Sequence, residues 1–382
     1  MMKLISHLSI VSLLIWGSKA AGGAQQPLNS LPSEQSTSSL IDLHKALVER
    51  PSITGSEGNV TAFLTTYLRD IGFTVETQAV EENRENILAY YGSSRKTRVL
   101  VTSHLDTVPP YWPYERHGDV IRGRGTVDAK GSVATQIIAV QTLLQEDKIK
   151  EGDVGLLFVV GEERGGLGMR QVNELGLSWE SVIFGEPTEL KLASGHKGGL
   201  GFTITAKGKA GHSGYPETGT NAIDSLTRGL AALQLLELPW SEDFGNSTLN
   251  IGKIEGGVAG NVIPASAYAI GGVRVAAGTP DSLKKLIETT ILESDSNLEV
   301  DFTYGIGPVP IDHDVEGFEI VVLNYGTDIP SLKGNHKRYL YGPGSILNAH
   351  SAHEYLTVSD LEEAVKGYQQ LITHSLKSSS PA

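Results

Sequence analysis

The sequence contains no cysteine among its 382 residues. Disulfide bonds and metal sites built from thiolates are therefore excluded, so the fold must be stabilised by a buried core and by any bound metal. Basic residues are also few, with 31 Lys and Arg against 44 Asp and Glu and a formal net charge of −13. This acidity argues against nucleic acid or an anionic membrane as a partner, because both require a basic surface.

Two common catalytic signatures are missing as well. Gly256 and Gly257 are not followed by a Gly-Lys-Ser/Thr sequence, so they indicate tight backbone turns and not a phosphate cradle. Ser213 and Ser345 do not lie in a Gly-x-Ser-x-Gly elbow, which disfavours a serine hydrolase.

A long apolar run occurs near the amino end. Lys3 is followed by the mainly apolar residues 4–16 and then by small residues. This order predicts a secretory signal peptide over residues 1–20, cleaved after Ala20 or a few residues later, since the run is too short to span a bilayer. An uncleaved membrane anchor is the alternative interpretation.

The next residues and two sequons extend this expectation. Residues 21–39 are poor in large apolar side chains, which is typical of a flexible leader. Asn59 and Asn246 begin Asn-x-Thr sequons, which are meaningful if the chain enters a eukaryotic secretory route. We therefore expect a secreted glycoprotein with no membrane partner after cleavage.

Strand and helix patterns alternate in the first half of the chain. Apolar strand patterns centre near Ile87, Leu100, Leu157 and Ile183, with helical patterns such as residues 133–144 between them. The alternation predicts βα units, and hence an α/β fold with a mixed, largely parallel sheet flanked by helices.

The pattern changes near Lys197. A strand-helix-strand-strand-helix-strand order follows, as in a ferredoxin-like α+β domain, and candidate ligands lie on both sides of it. The metal-binding domain must therefore be discontinuous. The expected organisation is residues 40–195 for its first part, 196–306 for the inserted domain, 307–376 for its second part and 377–382 for a tail.

Two adjacent glutamates, Glu162 and Glu163, follow the apolar strand pattern of residues 156–160. Side-by-side carboxylates repel each other, so a positive partner is expected beside them, and a metal ion is the obvious candidate. Other acidic and imidazole groups follow similar apolar runs or glycine-rich turns, namely His104, Asp106, Asp128, Glu186 and His350. Ligands collect outside the carboxyl ends of strands in open α/β sheets, so these groups should converge.

The donor types indicate which metals would bind. Hard carboxylate oxygens mixed with imidazoles suit zinc, cobalt or manganese. Two such ions about 3.5 to 4 Å apart require a bridging carboxylate.

Several short motifs occur in a fixed order over nearly the whole chain after the leader. They are Ser103-His104-Leu105-Asp106, Gly123-Arg124-Gly125 with Asp128, Gly161-Glu162-Glu163, Gly185-Glu186-Pro187, Gly211-His212-Ser213, and Gly342-Pro343-Gly344 with His350 and Glu354. As a set they resemble the zinc exopeptidase family of acetylornithine deacetylase, succinyl-diaminopimelate desuccinylase, aminoacylase and carboxypeptidase G. The resemblance implies a phosphorylase/peptidase-like metal-binding domain, two divalent ions per subunit, most often zinc, and an insert through which two subunits can form a homodimer.

The resemblance also implies a metal ligand set. One ion would be held by His104 and Glu186, the other by Glu163 and His350, and Asp128 would bridge both. His353 is the alternative to His350, but the family spacing, a histidine four residues before Glu354, selects His350.

The remaining implied roles concern catalysis and substrate binding. Asp106 would orient His104, Glu162 would be the general base, and His212 would steady the oxyanion, often across a dimer. The substrate carboxylate would be held by Asn261, Arg274, Gly344 and Ser345. Arg274 offers a planar fork suited to a terminal carboxylate, although it could instead be an ordinary ion-pair partner.

Three functions follow from these expectations. A secreted metallocarboxypeptidase acting on peptides comes first, and an N-acyl-amino-acid deacylase using the same site is the alternative. An inactive binding protein that retains the fold is a distant third, because neither Glu162 nor any expected ligand is missing.

Overall fold

The computed structural model describes residues 33–378. The expected signal peptide, residues 1–20, lies outside the described residues, as do most of the expected leader and residues 379–382 of the tail. The helices are α1 Ser33–Val48, α2 Gly58–Asp70, α3 Lys130–Gln145, α4 Leu167–Val172, α5 Ala222–Gln234, α6 Pro280–Ser294 and α7 Val358–Ser378. Helix α1 thus begins within the segment for which the sequence indicates a leader.

The strands are β1 Thr74–Glu81, β2 Arg84–Tyr90, β3 Val99–His104, β4 Glu115–His117, β5 Val120–Arg122, β6 Val154–Val159, β7 Ser181–Gly185, β8 Leu192–His196, β9 Gly198–Lys207, β10 Trp240–Ser241, β11 Gly245–Asn246, β12 Thr248–Gly256, β13 Ser266–Val275, β14 Leu298–Ile306, β15 Val309–Pro310, β16 Ile320–Leu323, β17 Lys337–Tyr341 and β18 Tyr355–Thr357.

A six-stranded sheet with the order β1-β2-β6-β3-β7-β17 forms the centre of the main domain. Strands β6, β3, β7 and β17 are parallel, whereas β1 and β2 add to one edge in antiparallel fashion. Every residue of β3, β6 and β7 is buried, as expected for parallel strands covered on both faces. The expectation of a mixed, largely parallel α/β fold is confirmed.

The two faces of this sheet have separate hydrophobic cores. On one face, helices α1, α2, α3 and α7 contribute buried side chains such as Leu47, Ile137 and Leu371. On the other face, α4 and the small sheet β15-β8-β16 contribute Met169 and Leu323. Within residues 33–378, no helix combines the length and the apolar character that crossing a bilayer requires.

A second, smaller sheet lies in the segment between β8 and β15. Its order is β12-β13-β9-β14 with antiparallel neighbours throughout, and helices α5 and α6 bury Leu226 and Ile287 against Phe202 on one face. Both helices begin at capped residues, Asn221 for α5 and Thr279 for α6. This is the ferredoxin-like order that the sequence predicts for the insert.

The parallel register of the central sheet determines where polar side chains can meet. His104, the last residue of β3, pairs with Val159, the last residue of β6, and β7 runs parallel to β3 on its other side. The residues that follow these three strands are therefore brought to one edge of the sheet.

Candidate metal centre

Three strands and two loops position the acidic and imidazole side chains at this edge. His104 ends β3, Glu162 and Glu163 follow β6, and Glu186 follows β7 directly. Asp128 lies in the turn before α3, and His350 lies in the loop after β17. Gly161, at φ +78°, makes the turn that a residue with a side chain would adopt only under strain.

A first cluster contains His104, Asp128 and Glu186, and all three are buried. The Nε2 atom of His104 lies 3.0 Å from Oδ1 of Asp128 and 3.7 Å from Oε1 of Glu186. Each residue offers one donor atom, and these atoms lie within 4.8 Å of one another.

A second cluster contains Glu163, His350 and again Asp128. The Nε2 atom of His350 lies 3.1 Å from Oδ2 of Asp128 and 3.0 Å from Oε2 of Glu163. The two oxygens of Asp128 therefore face different histidines, which is the arrangement that a bridging carboxylate requires.

His350, and not His353, is brought to the carboxylates. His350 has the left-handed φ of +61°, and its ring reaches both Glu163 and Asp128. His353 is exposed, and within the described chain its side chain makes no hydrogen bond or ion pair.

The electrostatics of the cluster favour the binding of a positively charged group beside its carboxylates. Burial raises the pKa of Glu186 to about 7, with further contributions from Asp128 and Glu163, while His104 opposes the shift. Burial, together with the charge of Glu186, raises the pKa of Glu162 well above its usual range. Such shifts show that neighbouring carboxylates are crowded in a place where water screens them poorly.

In the protein without bound metal, His104 and His350 supply positive charge beside these carboxylates. Hydrogen bonds to Asp128 and Glu163 raise the pKa of His350 to about 10. Burial acts to raise the pKa of Asp128, but the hydrogen bonds from His104 and His350 outweigh it and lower the pKa. Divalent cations would replace these protons, so the carboxylate and imidazole donors present fit a pair of metal ions.

The His104 ring is oriented by the main chain of Asp106. Its Nδ1 lies 2.9 Å from the Asp106 carbonyl oxygen, whereas the nearer carboxylate oxygen of Asp106 lies 3.6 Å away. The Nδ1–H donates to that carbonyl oxygen, which leaves Nε2 to face Asp128 and Glu186. The sequence-based expectation gave this role to the Asp106 side chain, whose Oδ1 lies within ion-pair range of Nδ1 but farther away than the carbonyl oxygen.

The Asp106 carboxylate also holds the turn that contains the two glutamates. Its Oδ1 accepts a hydrogen bond from the Glu162 N–H, and its Oδ2 accepts one from the Glu163 N–H and one from the Thr54 hydroxyl. Within residues 33–378, the Glu162 carboxylate has no hydrogen-bond or ion-pair partner of its own.

His212, Asn261 and Arg274 lie in the insert and are not joined to the metal centre by any hydrogen bond or ion pair among the described residues. His212 pairs with Val262 through the main chain, and its Nδ1 accepts from Gly214 N–H. The Asn261 carbonyl oxygen accepts from Ser213 N–H. Arg274 is exposed and has no ion-pair partner in the described chain.

Gly344 and Ser345 lie beside the Glu186 strand. The Gly344 carbonyl oxygen accepts a hydrogen bond from Glu189 N–H, and the Ser345 hydroxyl donates to the Glu189 carboxylate at 2.6 Å. The hydroxyl of Ser345 is therefore already engaged, and its main chain pairs with Thr188 in an antiparallel bridge. The two sequon residues, Asn59 and Asn246, are both exposed.

Two residues near the centre escaped the sequence-based reasoning. Asp328 is buried, and burial together with nearby carboxylates raises its pKa to about 7, although His104 opposes the shift. The Tyr325 hydroxyl donates to the carbonyl oxygen of Pro187, the residue after Glu186. The sequence signal for both residues is the stretch Tyr-Gly-Thr-Asp at positions 325–328, shortly after the end of β16.

Two family models match the chain. The model described as the peptidase dimerisation domain matches residues 194–297, which cover most of the insert, and the model described as peptidase family M28 matches residues 86–180 of the main domain.

Curated relatives extend along almost the whole chain. A protein named a probable carboxypeptidase of Aspergillus clavatus is 47% identical, with 95% of this chain and 98% of that protein covered. A Schizosaccharomyces pombe protein named as containing a peptidase M20 domain is 48% identical, with 88% of this chain and 85% of that protein covered.

Among solved structures, the fold is similar to that of an M20 family metallo-carboxypeptidase from Sulfolobus solfataricus. The TM-score is 0.69 at 18% identity, with 88% of this chain and 99% of that chain covered. This likeness extends over both the main domain and the insert.

Proposed function

Because the chain belongs to the M20 family of metallopeptidases, we propose that it is a carboxypeptidase that hydrolyses the amide bond next to a free terminal carboxylate. The main observation behind the proposal is the position of Asp128, whose Oδ1 lies 3.0 Å from Nε2 of His104 and whose Oδ2 lies 3.1 Å from Nε2 of His350. Such a carboxylate can serve two metal ions at once.

The ligand assignment follows from the two clusters. His104 and Glu186 would hold one ion, Glu163 and His350 the other, and Asp128 both. The nitrogen and oxygen donor set favours zinc, with cobalt or manganese as substitutes. A pair of such ions supplies Lewis acidity, which polarises the scissile carbonyl and lowers the pKa of the attacking water.

Glu162 is the residue that would move protons. Its carboxylate adjoins the ligand Glu163 but forms no hydrogen bond or ion pair within the described chain, so it is free to act. It would accept a proton from the attacking water and then deliver that proton to the departing amine nitrogen. This transfer balances the reaction, because the leaving group departs as a neutral amine.

His212 would donate a hydrogen bond to the oxyanion, a contribution of about 3 kcal/mol for a typical donor of this kind. Within one described chain its contacts lie in the insert, so the proposal requires either closure of the insert or a His212 from a second subunit. The dimerisation-domain match over residues 194–297 supports a homodimer.

The free carboxylate of the substrate would be recognised by Arg274, Asn261 and the main chain at Gly344 and Ser345. Arg274 supports this role because its guanidinium is exposed and has no partner within residues 33–378. The alternative is an N-acyl-amino-acid deacylase, which would use the same metal centre and the same carboxylate contacts. The two activities differ in the group that fills the acyl side of the site.

A substrate panel separates these possibilities. Blocked dipeptides and N-acetyl amino acids, each with a free or an amidated carboxyl end, are compared by kcat/KM on the metal-loaded enzyme. A carboxypeptidase prefers blocked dipeptides with a free end, whereas a deacylase prefers N-acetyl amino acids. If the metal-loaded protein hydrolyses no member of the panel, the remaining hypothesis is a binding protein that retains the fold.

Arg274→Ala tests the carboxylate contact in the same panel. It should raise KM for free-ended substrates and leave amidated ones unchanged. The matched control is Lys253→Ala, because Lys253 lies on the same exposed sheet face and pairs only with surface groups.

Export is a further part of the proposal. The apolar run at residues 4–16 supports a secreted enzyme, and the exposed positions of Asn59 and Asn246 allow glycan attachment. Expression in a eukaryotic host should give a protein in the medium whose mass falls on treatment with an N-glycosidase. Retention inside the cell with an unchanged mass would contradict both points.

A further inference from the structure

Glu354 is a buried carboxylate that lies four residues after His350 and is only 2% exposed. One of its oxygens faces the loop that carries Asp128. Oε1 accepts hydrogen bonds from the main-chain N–H groups of Gly125 at 2.8 Å, Val127 at 3.2 Å and Asp128 itself at 3.4 Å. A carboxylate that accepts three backbone donors from one short loop fixes the shape of that loop.

The other oxygen of Glu354 forms a buried ion pair. Oε2 lies 2.5 Å from Nη1 of Arg124, which is itself 2% exposed. Arg124 also donates from Nε to the carbonyl oxygen of Pro110 at 3.2 Å. A buried pair of this kind is costly unless further hydrogen bonds satisfy its atoms. Here the loop N–H groups satisfy the second oxygen of Glu354, and the Pro110 carbonyl oxygen accepts from Nε of Arg124.

The two loops are also packed closely, independently of this carboxylate. Gly344 has φ +74°, and a Cβ atom at that position would lie 2.4 Å from Cγ2 of Val127. The Gly123 N–H donates to the Glu354 carbonyl oxygen at 3.3 Å, which adds a main-chain link. The loop with Asp128 and the loop with His350 therefore form one unit, and the Glu354 carboxylate lies inside it.

We propose that Glu354 is a positioning residue, which holds the bridging Asp128 in register with His350 and thereby sets the spacing of the two metal ions. The inference rests on the proposed two-ion function. Glu354 touches neither ligand atoms nor substrate, so it acts only through the backbone of the Asp128 loop.

The test measures metal binding by Glu354→Ala and Glu354→Gln, with Asp295→Ala as the matched control. Asp295 likewise accepts a main-chain hydrogen bond and pairs with an arginine, Arg228, but it lies in the insert. The full chain is freed of metal, and the binding of Mn²⁺ or Co²⁺ is followed by calorimetry and by the magnetic coupling between the two bound ions.

Glu354→Ala should weaken metal binding by about 10- to 100-fold, the usual loss when a partner of a ligand is removed. The coupling between the ions should weaken as well, because Asp128 no longer bridges at a fixed distance. Glu354→Gln should show a smaller loss, since its amide oxygen can still accept from the loop. This variant also keeps the proposal testable if the alanine variant does not fold.

Wild-type affinity and wild-type coupling in a folded Glu354 variant would overturn the proposal. An equal loss in Asp295→Ala would also overturn it, because the effect would then be one of general stability. If the wild-type chain itself binds fewer than two ions, the proposed function fails instead, and the two failures are thereby distinguished.

Discussion

Asp106 and Glu162 are joined by a hydrogen bond of 3.0 Å from the Glu162 N–H to Oδ1 of Asp106. The second carboxylate oxygen accepts from the Glu163 N–H at 3.3 Å and from the Thr54 hydroxyl at 2.8 Å. One buried carboxylate thus fixes the backbone of both the proposed general base and a proposed ligand.

Asp106→Asn should lower kcat by about 10- to 100-fold, because its amide group cannot accept hydrogen bonds on both sides. The substitution should displace the turn that contains Glu162 and Glu163. The metal content should therefore fall less than the turnover number does, because the other proposed ligands stay in place. Steady-state kinetics and elemental analysis on the same preparation measure both. Thr54→Val is the control, since it removes one donor to Asp106 and leaves both acceptors in place, and an equal loss in that variant would contradict the assignment.

Glu162→Gln should retain both metal ions and lose about 10²- to 10⁴-fold in kcat, the usual contribution of a general base. The amide is close in size to the carboxylate but cannot accept a proton from the attacking water. Metal content is measured beside turnover with the best substrate of the panel. Normal hydrolysis by this variant would remove Glu162 from the mechanism.

His212→Ala should lower kcat by about 10²- to 10³-fold and leave the metal content unchanged. The physical reason is that the imidazole would act on the developing oxyanion, and within the described chain it makes no contact with the metal centre. His117→Ala, which alters an exposed histidine of the main domain, is the control and should be neutral. An unchanged kcat for His212→Ala would contradict its proposed role.

Removal of metal by a chelator should abolish activity and lower the melting temperature, because ions that bind only the folded state stabilise it. The crowded carboxylates of Glu163 and Glu186 would then be compensated only by the two histidines, which carry less positive charge than two divalent ions. Zinc, cobalt or manganese should restore both properties. Full activity in the presence of the chelator, with no metal found by elemental analysis, would refute metal catalysis.

His44 predicts a dependence of stability on pH. It is buried, its Nε2 donates to the Thr126 carbonyl oxygen, and burial lowers its pKa from 6.5 to about 4. Because the unfolded state binds the proton more readily, the stabilisation is complete above pH 6.5 and is lost as the pH falls towards 4. The change amounts to about 3 kcal/mol for a shift of this size.

Urea unfolding of the metal-free protein at pH 7 and pH 4.5 measures this effect. His44→Gln keeps an amide donor but has no group that titrates, so its free energy of unfolding should depend less on pH. His117→Gln, at an exposed site, should behave like the wild type. Identical pH dependence in all three proteins would show that His44 does not contribute.

The strands that carry the metal centre could be predicted from the sequence for a physical reason. Parallel strands buried on both faces read as continuous apolar runs, so the ends of β3, β6 and β7 were visible at His104, Glu162 and Glu186. The family resemblance, which the curated relatives confirm, added the proposed ligand roles of Asp128 and His350, which lie outside these strands.

Contacts made by the main chain were beyond the reach of the sequence. The carbonyl oxygen of Asp106 orients His104, and nothing in the residue types distinguishes that contact from one made by the Asp106 side chain. Asp328 was missed because its neighbours at the centre, Glu186 and His104, are distant in the chain, and only folding brings their charges together.

Because residues 198–306 are inserted into the main domain, the two parts of that domain emerge from the ribosome at different times. A ribosome delivers His104, Asp128, Glu163 and Glu186 first, whereas His350 and β17 emerge only after the whole insert. Until β17 pairs with β7, one edge of the central sheet is open and one of the five proposed ligands is absent. If these five residues hold two ions as proposed, the ion at Glu163 and His350 can bind only at the last stage of translation or after release.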